Sequence, residues 1–449
     1  EGLLAGQEHL ASWGLGFIGS TSLMAFAAEG VRVIGYDIDE GKVKSLQEGV
    51  LPIPNLEAWF GRDWQATAAA AHVTVTSRVE DVMAAEPAVH LVCVPTERQG
   101  EPWDGAVLQV CDQIAGRLWA NRLPLVIIES TLDLVMWREV SRRLGRVAVS
   151  PRRDWFVARN KSLRDMPRVL GAVDLHVRGD AYWVLSMVCQ DLRLAGSVES
   201  AILSKLIENE VLHLGANLAG ELACRYPDVD VRDAFRLAAT HWRVPALYPS
   251  AGVGGYCLPV AGRYLMRASL EGDGLLEANR WRDLTQPQTI ANHLHALWQV
   301  RQPQLPGTVA ILGLTYKGDI PVISGSPALL ILQDLQQREV PIHVHEPYAL
   351  SIQWPAGRDE GPCCTADLSS RDPRTPWWCL DKASVVFVHT DHRVFAEVPQ
   401  SILLAQLRPG TAILDQFGIW KKHAAAFARQ QVDYHIIGEA GWLATAYTG

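Results

Sequence analysis

The stretch GVGGYCLP, residues 252–259, sets one cysteine, Cys257, behind three glycines and ahead of a proline. A cysteine is a nucleophile once it has lost its proton, and a backbone without side chains at Gly254 and Gly255 can be approached closely by a ligand. The plain alternative is that Cys257 is a small buried hydrophobe. Lys205 and Asn209 form a second group. They lie four residues apart in VESAILSKLIENEVLHLGANLAGELACR, a proline-free stretch that reads as one long helix, so both side chains share a face. By themselves they read as ordinary solvated polar residues. Nearby Gly215, Ala216, Ala219 and Gly220 predict close packing of this helix against another.

A third group opens the chain. GLGFIG supplies Gly14, Gly16 and Gly19 around Phe17 and Ile18; an apolar helix pattern follows, then the strand VRVIGYD ending at Asp37. This is the order a dinucleotide site requires. Glycines let the backbone approach the pyrophosphate, the helix N-terminus offers N–H groups, and an acid about 20 residues on holds the ribose diol. A carboxylate at that position favours NAD over NADP, whose 2′-phosphate it would repel. The strand before the loop, HLASW, is less apolar than a buried parallel strand usually is.

Short apolar runs then recur as HVTVTS, AVHLVCVPT, LPLVIIEST and GRVAVSP, the strands of further βα units. Thr96, after Pro95, and Thr131 fall at strand ends where parallel sheets place ligands; each is equally a candidate helix cap. After RQPQLPG a second half of the same kind begins with TVAILGLTYKG and continues through ASVVFVHTDH and GTAILDQFGIW. The predicted fold class is therefore α/β. Two Rossmann-like doubly wound domains, residues 1–196 and 301–449, are joined by a central helical segment, 197–300, that carries Cys257.

With 449 residues, 48% hydrophobic and 20% charged, the chain reads as a soluble globular protein of two or three domains. It contains no apolar run of the roughly 18 residues needed to span a bilayer, and no basic N-terminal region leading into a hydrophobic one, so the expected location is cytoplasmic without a membrane partner. A formal charge of −8 argues against a nucleic-acid surface. Eight cysteines without CxxC pairing suggest reduced thiols and no metal site.

Taken in order, GLGFIG, CVPT (93–96), EST (129–131), PRVLG (167–171), KLIEN (205–209), GVGGYCLP, LGLTYK (312–317) and SP (326–327) resemble the UDP-glucose/GDP-mannose dehydrogenase family over nearly the whole chain. The cysteine loop is most similar to the branch that oxidises UDP-N-acetylhexosamines. The resemblance implies that two NAD molecules in turn oxidise the C6 hydroxyl of a nucleotide sugar to a carboxylate, with Cys257 trapping the intermediate aldehyde. It further implies that Lys205 stabilises the oxyanion, that Asn209 orients a water or the alkoxide, and that Thr131 lies near the reacting carbon. Arg243 and Lys317 match sugar-nucleotide contacts, with Gly254, Gly255 and Tyr256 lining the same loop. The resemblance implies a homodimer on the central helices, with Arg243 reaching across it. The chemistry suits the residue types: a thiolate adds to an aldehyde, and the adduct can lose a second hydride to become a thioester.

Some residues depart from the family pattern. An acid expected two residues after the loop's proline is Ala261, and a Pro-Glu-Arg is Pro151, Arg152 and Arg153. In the C-terminal half an Asp-x-Arg is Val322, Ile323 and Ser324, and an arginine is Phe417. Three readings follow: a full 6-dehydrogenase in which Asp154 or a water on Lys205 replaces the lost acids; an enzyme that stops after one hydride at an aldehyde or ketone; and a non-catalytic NAD-binding regulator. Retention of Cys257, Lys205 and Asn209 together weighs against the third.

Overall fold

The computed structural model describes residues 2–52, 56–117, 119, 123–154, 161–268, 274–320, 322–348 and 378–443. Cys363 and Cys364 lie outside them. The chain forms two compact units, Glu1–Glu208 with Arg263–Glu271, and Asn209–Gly262 with Gly272–Gly449.

In the first unit the strands are β1 (His9–Trp13), β2 (Arg32–Tyr36), β3 (Val73–Thr76), β4 (Val89–Val92), a small antiparallel pair β5 (Glu97–Arg98) and β6 (Glu101–Pro102), then β7 (Leu125–Ile128), β8 (Val147–Val149), β9 (Arg168–Ala172) and β10 (Leu192–Leu194). Apart from β5 and β6 they make one sheet in the order β10-β9-β8-β7-β4-β1-β2-β3. Only the β8/β9 pairing is antiparallel. The sequences of β4 and β7, VHLV and LVII, are buried at every position, as strands covered on both faces must be. The weakly apolar β1 is also central, because its polar members find partners there. Trp13 Nε1 donates to His90 Nδ1 at 2.9 Å, and Ser12 Oγ donates to the Gly19 carbonyl at 3.2 Å. Burial lowers the His90 pKa to about 3, so the ring remains a neutral acceptor. The chain order reverses at β1, between β2 and β4, which is where doubly wound sheets open a ligand crevice.

The second unit has β11 (Thr308–Leu312), β12 (Ile342–His345), β13 (Ala383–Val388), β14 (Ala412–Asp415) and β15 (Asp433–Ile436), all parallel, in the order β12-β11-β13-β14-β15. Ile311, Val385, Phe387 and Leu414 of this sheet share one core with Ile331 and Leu332 of the helix Pro327–Gln337 and with Ile290, Leu294 and Leu297 of the helix Leu275–Arg301. The α/β class with two Rossmann-like halves and a helical centre is thus the fold the sequence predicts.

The proline-free stretch is one helix, Val198–Arg225. Its small residues serve close packing: a Cβ on Gly220 would lie 3.1 Å from the Gln286 amide of Leu275–Arg301. A buried polar cluster joins the same two helices. His213 Nε2 donates to Asp283 Oδ1 at 2.7 Å, and its Nδ1 stands 3.6 Å from Glu210 Oε2. Asn279 Nδ2 donates to Glu210 Oε1 at 2.8 Å, and Asn217 Nδ2 donates to Asp283 Oδ1 at 3.1 Å. Burial opposes charge on the His213 ring, but its bonds to Asp283 and Glu210 outweigh that and raise its pKa from 6.5 to about 9.

A pKa raised by folding gives stability that is complete below the unfolded value and is lost as pH rises through the folded one. The urea midpoint is therefore expected to fall between pH 6.5 and about 9, and to fall less in His213→Gln. Parallel pH dependences in the two proteins would show that His213 carries no such charge.

Candidate active site

The dinucleotide loop is built by mutual exclusion of side chains. Gly14 has φ +85°, and a Cβ on Gly19 would fall 1.7 Å from the Gly14 carbonyl oxygen, so the turn into the helix Phe17–Ala28 closes only with glycine at both. Gly16, at the N-cap, has nothing within 4 Å of its Cβ position and makes no side-chain cap. That open helix end offers the backbone N–H groups a pyrophosphate needs. Phe17 is exposed and Ile18 half-buried. At the tip of β2, Asp37 accepts Leu15 N–H on Oδ2 at 2.7 Å and Asp39 N–H on Oδ1 at 3.0 Å, which fixes its carboxylate beside the loop. The residues present therefore fit NAD.

Thr96 and Thr131 come together: Thr96 Oγ1 donates to the Thr131 carbonyl at 2.6 Å. Tyr264 joins them, donating its hydroxyl to the Thr96 carbonyl at 2.8 Å, a partner that nothing in the sequence pattern announces. Neither threonine caps the helix that follows it: after Thr96 the N-cap of Gly105–Ala115 is Asp104, and after Thr131 the next helix is Leu134–Arg143. There the cap is Asp133, which accepts Met136 N–H at 2.7 Å. Pro95 is exposed.

Arg152, where the family pattern has an acid, points into the interior. It donates to Ser22 Oγ, stands 3.3 Å from Glu129 Oε2 and pairs with Asp154 Oδ2 at 2.6 Å. Arg168 Nη1 donates to the other Glu129 oxygen at 2.7 Å. The side chains of Arg152, Glu129, Asp154 and Arg168 are each 4% exposed or less. Burial alone would raise the Glu129 pKa; Arg168 and Arg152 more than offset it and hold the carboxyl below its ordinary range. Asp154, one candidate for a replacement base, is thus engaged with Arg152. Nearby, Lys205 Nζ lies 3.4 Å from Glu208 Oε1, and Arg153 Nε holds the other Glu208 oxygen at 2.5 Å. Lys205, only 11% exposed at its side chain, is a largely desolvated ammonium.

In the second unit, Cys257 is exposed and is the first residue of the helix Cys257–Met266, where a helix N-terminus favours the thiolate. Asn209, buried, donates its amide to the Cys257 carbonyl at 3.3 Å. The preceding glycines are required by contact: a Cβ on Gly254 would stand 2.6 Å from Tyr316 Cβ, and Gly255 has φ +83°. Tyr256 is exposed, as is Arg243, whose guanidinium lies over the Trp242 ring at 4.6 Å. Lys317 follows Tyr316; burial lowers its pKa to about 8 against the opposing pull of Asp391. Ala261 is buried at 1% exposure, so no carboxylate enters from that position. Val322 supplies the carbonyl that accepts Tyr316 N–H at 3.3 Å, and Phe417 donates its N–H to Asp415 Oδ1 at 3.1 Å. After β12, Glu346 accepts Leu314 and Thr315 N–H on Oε2, at 2.6 and 3.0 Å, and Tyr348 N–H on Oε1 at 2.8 Å. Among the described residues no group of acids, histidines and cysteines could hold a metal ion, and no helix is long and apolar enough to cross a membrane.

Three domain models of the UDP-glucose/GDP-mannose dehydrogenase family match the chain: the NAD binding domain over residues 8–153, the central domain over 199–278 and the UDP binding domain over 310–422. A UDP-N-acetyl-D-mannosamine dehydrogenase of Pyrococcus horikoshii is 29% identical over 356 residues, covering 76% of this chain and 84% of that protein. Its counterpart in Methanococcus aeolicus is 28% identical, covering 76% and 79%. The solved structure of UDP-D-ManNAc dehydrogenase from Pyrococcus horikoshii superposes with a TM-score of 0.78 at 26% identity, over 96% of this chain and 100% of that one. The glycine loop with Asp37, the second Rossmann-like half and these matches lead to one assignment: the chain belongs to the UDP-glucose/GDP-mannose dehydrogenase family and is an NAD-dependent nucleotide-sugar dehydrogenase.

Proposed function

We propose that the chain oxidises the C6 hydroxyl of a UDP-N-acetylhexosamine to the uronate through a covalent intermediate on Cys257. The observation that carries this reading is the exposed Cys257 at a helix N-terminus, its carbonyl held by the Asn209 amide. The names of the archaeal relatives support the sugar class. Bound NAD supplies the hydride acceptor, held by the Gly14–Gly19 loop, Asp37 and the Pro95–Thr96 turn, with Thr131 beside it. Cys257 Sγ adds to the aldehyde carbon, Lys205 stabilises the resulting oxyanion and Asn209 orients it. After the second hydride leaves, water cleaves the thioester and the thiol is restored. Lys317, Arg243 and Tyr256 contact the sugar nucleotide. The free thiols among the described residues suit a reducing compartment, and we place the reaction in the cytoplasm.

A second reading, one oxidation only, is favoured by a specific observation: Arg152 is bound within an ionic cluster and Ala261 is buried, so neither position offers a base for thioester hydrolysis. NADH formed per nucleotide sugar consumed separates the two. Two equivalents support the uronate and one the carbonyl product; no NADH with any of a panel of UDP-, GDP- and TDP-sugars would overturn both.

The active form is proposed to be a homodimer. Ile207, Val211 and Leu218 are each about half exposed and recur along one stripe of Val198–Arg225. A second copy of the same helix is the partner such a self-complementary stripe fits. Light scattering at micromolar concentration is expected to give twice the chain mass, and Val211→Lys with Leu218→Lys to give monomer; a fully active monomeric wild type would remove the idea.

A further inference from the structure

Tyr264 is buried, and it lies in Arg263–Glu271, the short segment by which the chain returns to the first unit. Its hydroxyl proton goes to the Thr96 carbonyl at 2.8 Å, and the proton of Thr96 Oγ1 goes to the Thr131 carbonyl at 2.6 Å. The two hydroxyl oxygens stand 3.0 Å apart. One line of bonds therefore joins a side chain distant in sequence to both loops. Neighbours on the same segment repeat the pattern. Arg263 donates to the Gly100 carbonyl, and Arg267 reaches Asp104 Oδ2 at 3.1 Å and Asp133 Oδ2 at 3.2 Å, the carboxylates just before the helices Gly105–Ala115 and Leu134–Arg143. The order of the sheet says what these loops receive. Thr96 follows β4 and Thr131 follows β7, and both strands lie on the far side of β1 from β2, whose tip carries Asp37. With the adenosine ribose at Asp37 and the pyrophosphate at the loop after β1, the crevice beyond β1 takes the other half of the dinucleotide.

Resting on the cofactor site read at the Gly14–Gly19 loop, Asp37 and the Thr96 turn, we propose that Tyr264 is a positioning residue for the nicotinamide half of NAD: its phenol holds the Thr96 turn against Thr131 and so fixes the pair of loops that receives this half. With Tyr264 on its carbonyl and its own proton on Thr131, Thr96 keeps one backbone position and one hydroxyl orientation before the cofactor arrives. Less order then has to be imposed on binding. Trp103 N–H also donates to the Thr96 carbonyl, at 2.7 Å, so that carbonyl stays satisfied when the phenol oxygen is removed. The adenosine end is held by other bonds, from Leu15 and Asp39 N–H to Asp37.

The test is calorimetric titration of NAD, and of ADP, which lacks the nicotinamide half, into full-length wild type, Tyr264→Phe and Asp37→Ala. Tyr264→Phe keeps the ring and deletes one oxygen. Its Kd for NAD is expected to rise roughly three- to tenfold, the scale of one hydrogen bond, with the Kd for ADP unchanged. Asp37→Ala is expected to weaken both ligands. Equal NAD affinities in wild type and Tyr264→Phe would overturn the proposal, and so would a parallel loss of NAD and ADP, the sign of a general loosening of the unit. Asp37→Ala separates the two failures. If it weakens both ligands while Tyr264→Phe weakens neither, only the Tyr264 role falls; if it weakens neither, the cofactor reading falls and takes the Tyr264 role with it.

Discussion

Lys205→Ala is expected to lower kcat by at least about a hundredfold, the scale on which loss of one preorganised donor to a developing oxyanion is felt. The effect should be large because the ammonium is mostly out of water and held by Glu208, a preorganised position for a donor to an oxyanion. Either oxidation passes through an alkoxide, so this loss is common to the one- and two-step readings. A rate within a few-fold of wild type would take Lys205 out of the chemistry. Cys257→Ser divides the readings. In a full oxidation a serine ester forms and hydrolyses far less readily than a thioester, so NADH per sugar should drop from two to at most one. Near wild-type single-turnover NADH formation would instead indicate that the carbonyl is the normal product. A sugar adduct on Cys257 in the wild-type protein, seen by mass spectrometry, would exclude that.

Arg152→Glu, which writes the family's acid back into the chain, is expected to destroy rather than improve the enzyme. It would set a third carboxylate against Glu129 and Asp154 in a buried cluster whose charge balance depends on Arg152. Removing one partner of a buried ion pair typically costs about 3–5 kcal/mol, and reversing its charge costs no less. In a unit of this size that is a fall in thermal midpoint on the order of 10 °C. Arg152→Met, matched in length and uncharged, should lie between. Differential scanning calorimetry of the three proteins gives the ranking. An Arg152→Glu protein with an unchanged midpoint and faster turnover would mean the position faces substrate after all.

The division between what could and could not be read beforehand is physical. Element type was legible wherever periodicity is strong: the proline-free helix Val198–Arg225 and the continuous apolar strands announce themselves. The glycine loop and Asp37 were legible because their spacing is imposed by one covalent turn and one helix. The place of β1 was harder, since the polar groups of Ser12 and Trp13 are satisfied in the sheet by partners 7 and 77 residues away in the chain. Tyr264 on Thr96 and Tyr316 on the cysteine loop are likewise contacts of distant segments that leave no local signature. Arg152 was visible as a departure, but its direction was not. Whether an arginine faces a ligand or a buried carboxylate depends on Glu129 and Ser22, each brought there by the sheet.

The carboxylates that follow the second strand of each Rossmann-like half have diverged in how much bonding capacity they leave open. Asp37 accepts two backbone N–H groups, with Lys42 more loosely placed at 3.7 Å. Glu346 accepts three, and His392 closes on it as well: the ring takes Asp319 N–H on Nδ1, which leaves its proton on Nε2, 3.3 Å from Glu346 Oε1. A ribose diol meeting the C-terminal half would find its natural acceptor already saturated. The two similar halves are in this sense distinguished at one carboxylate: a stray dinucleotide gains little from the Glu346 position.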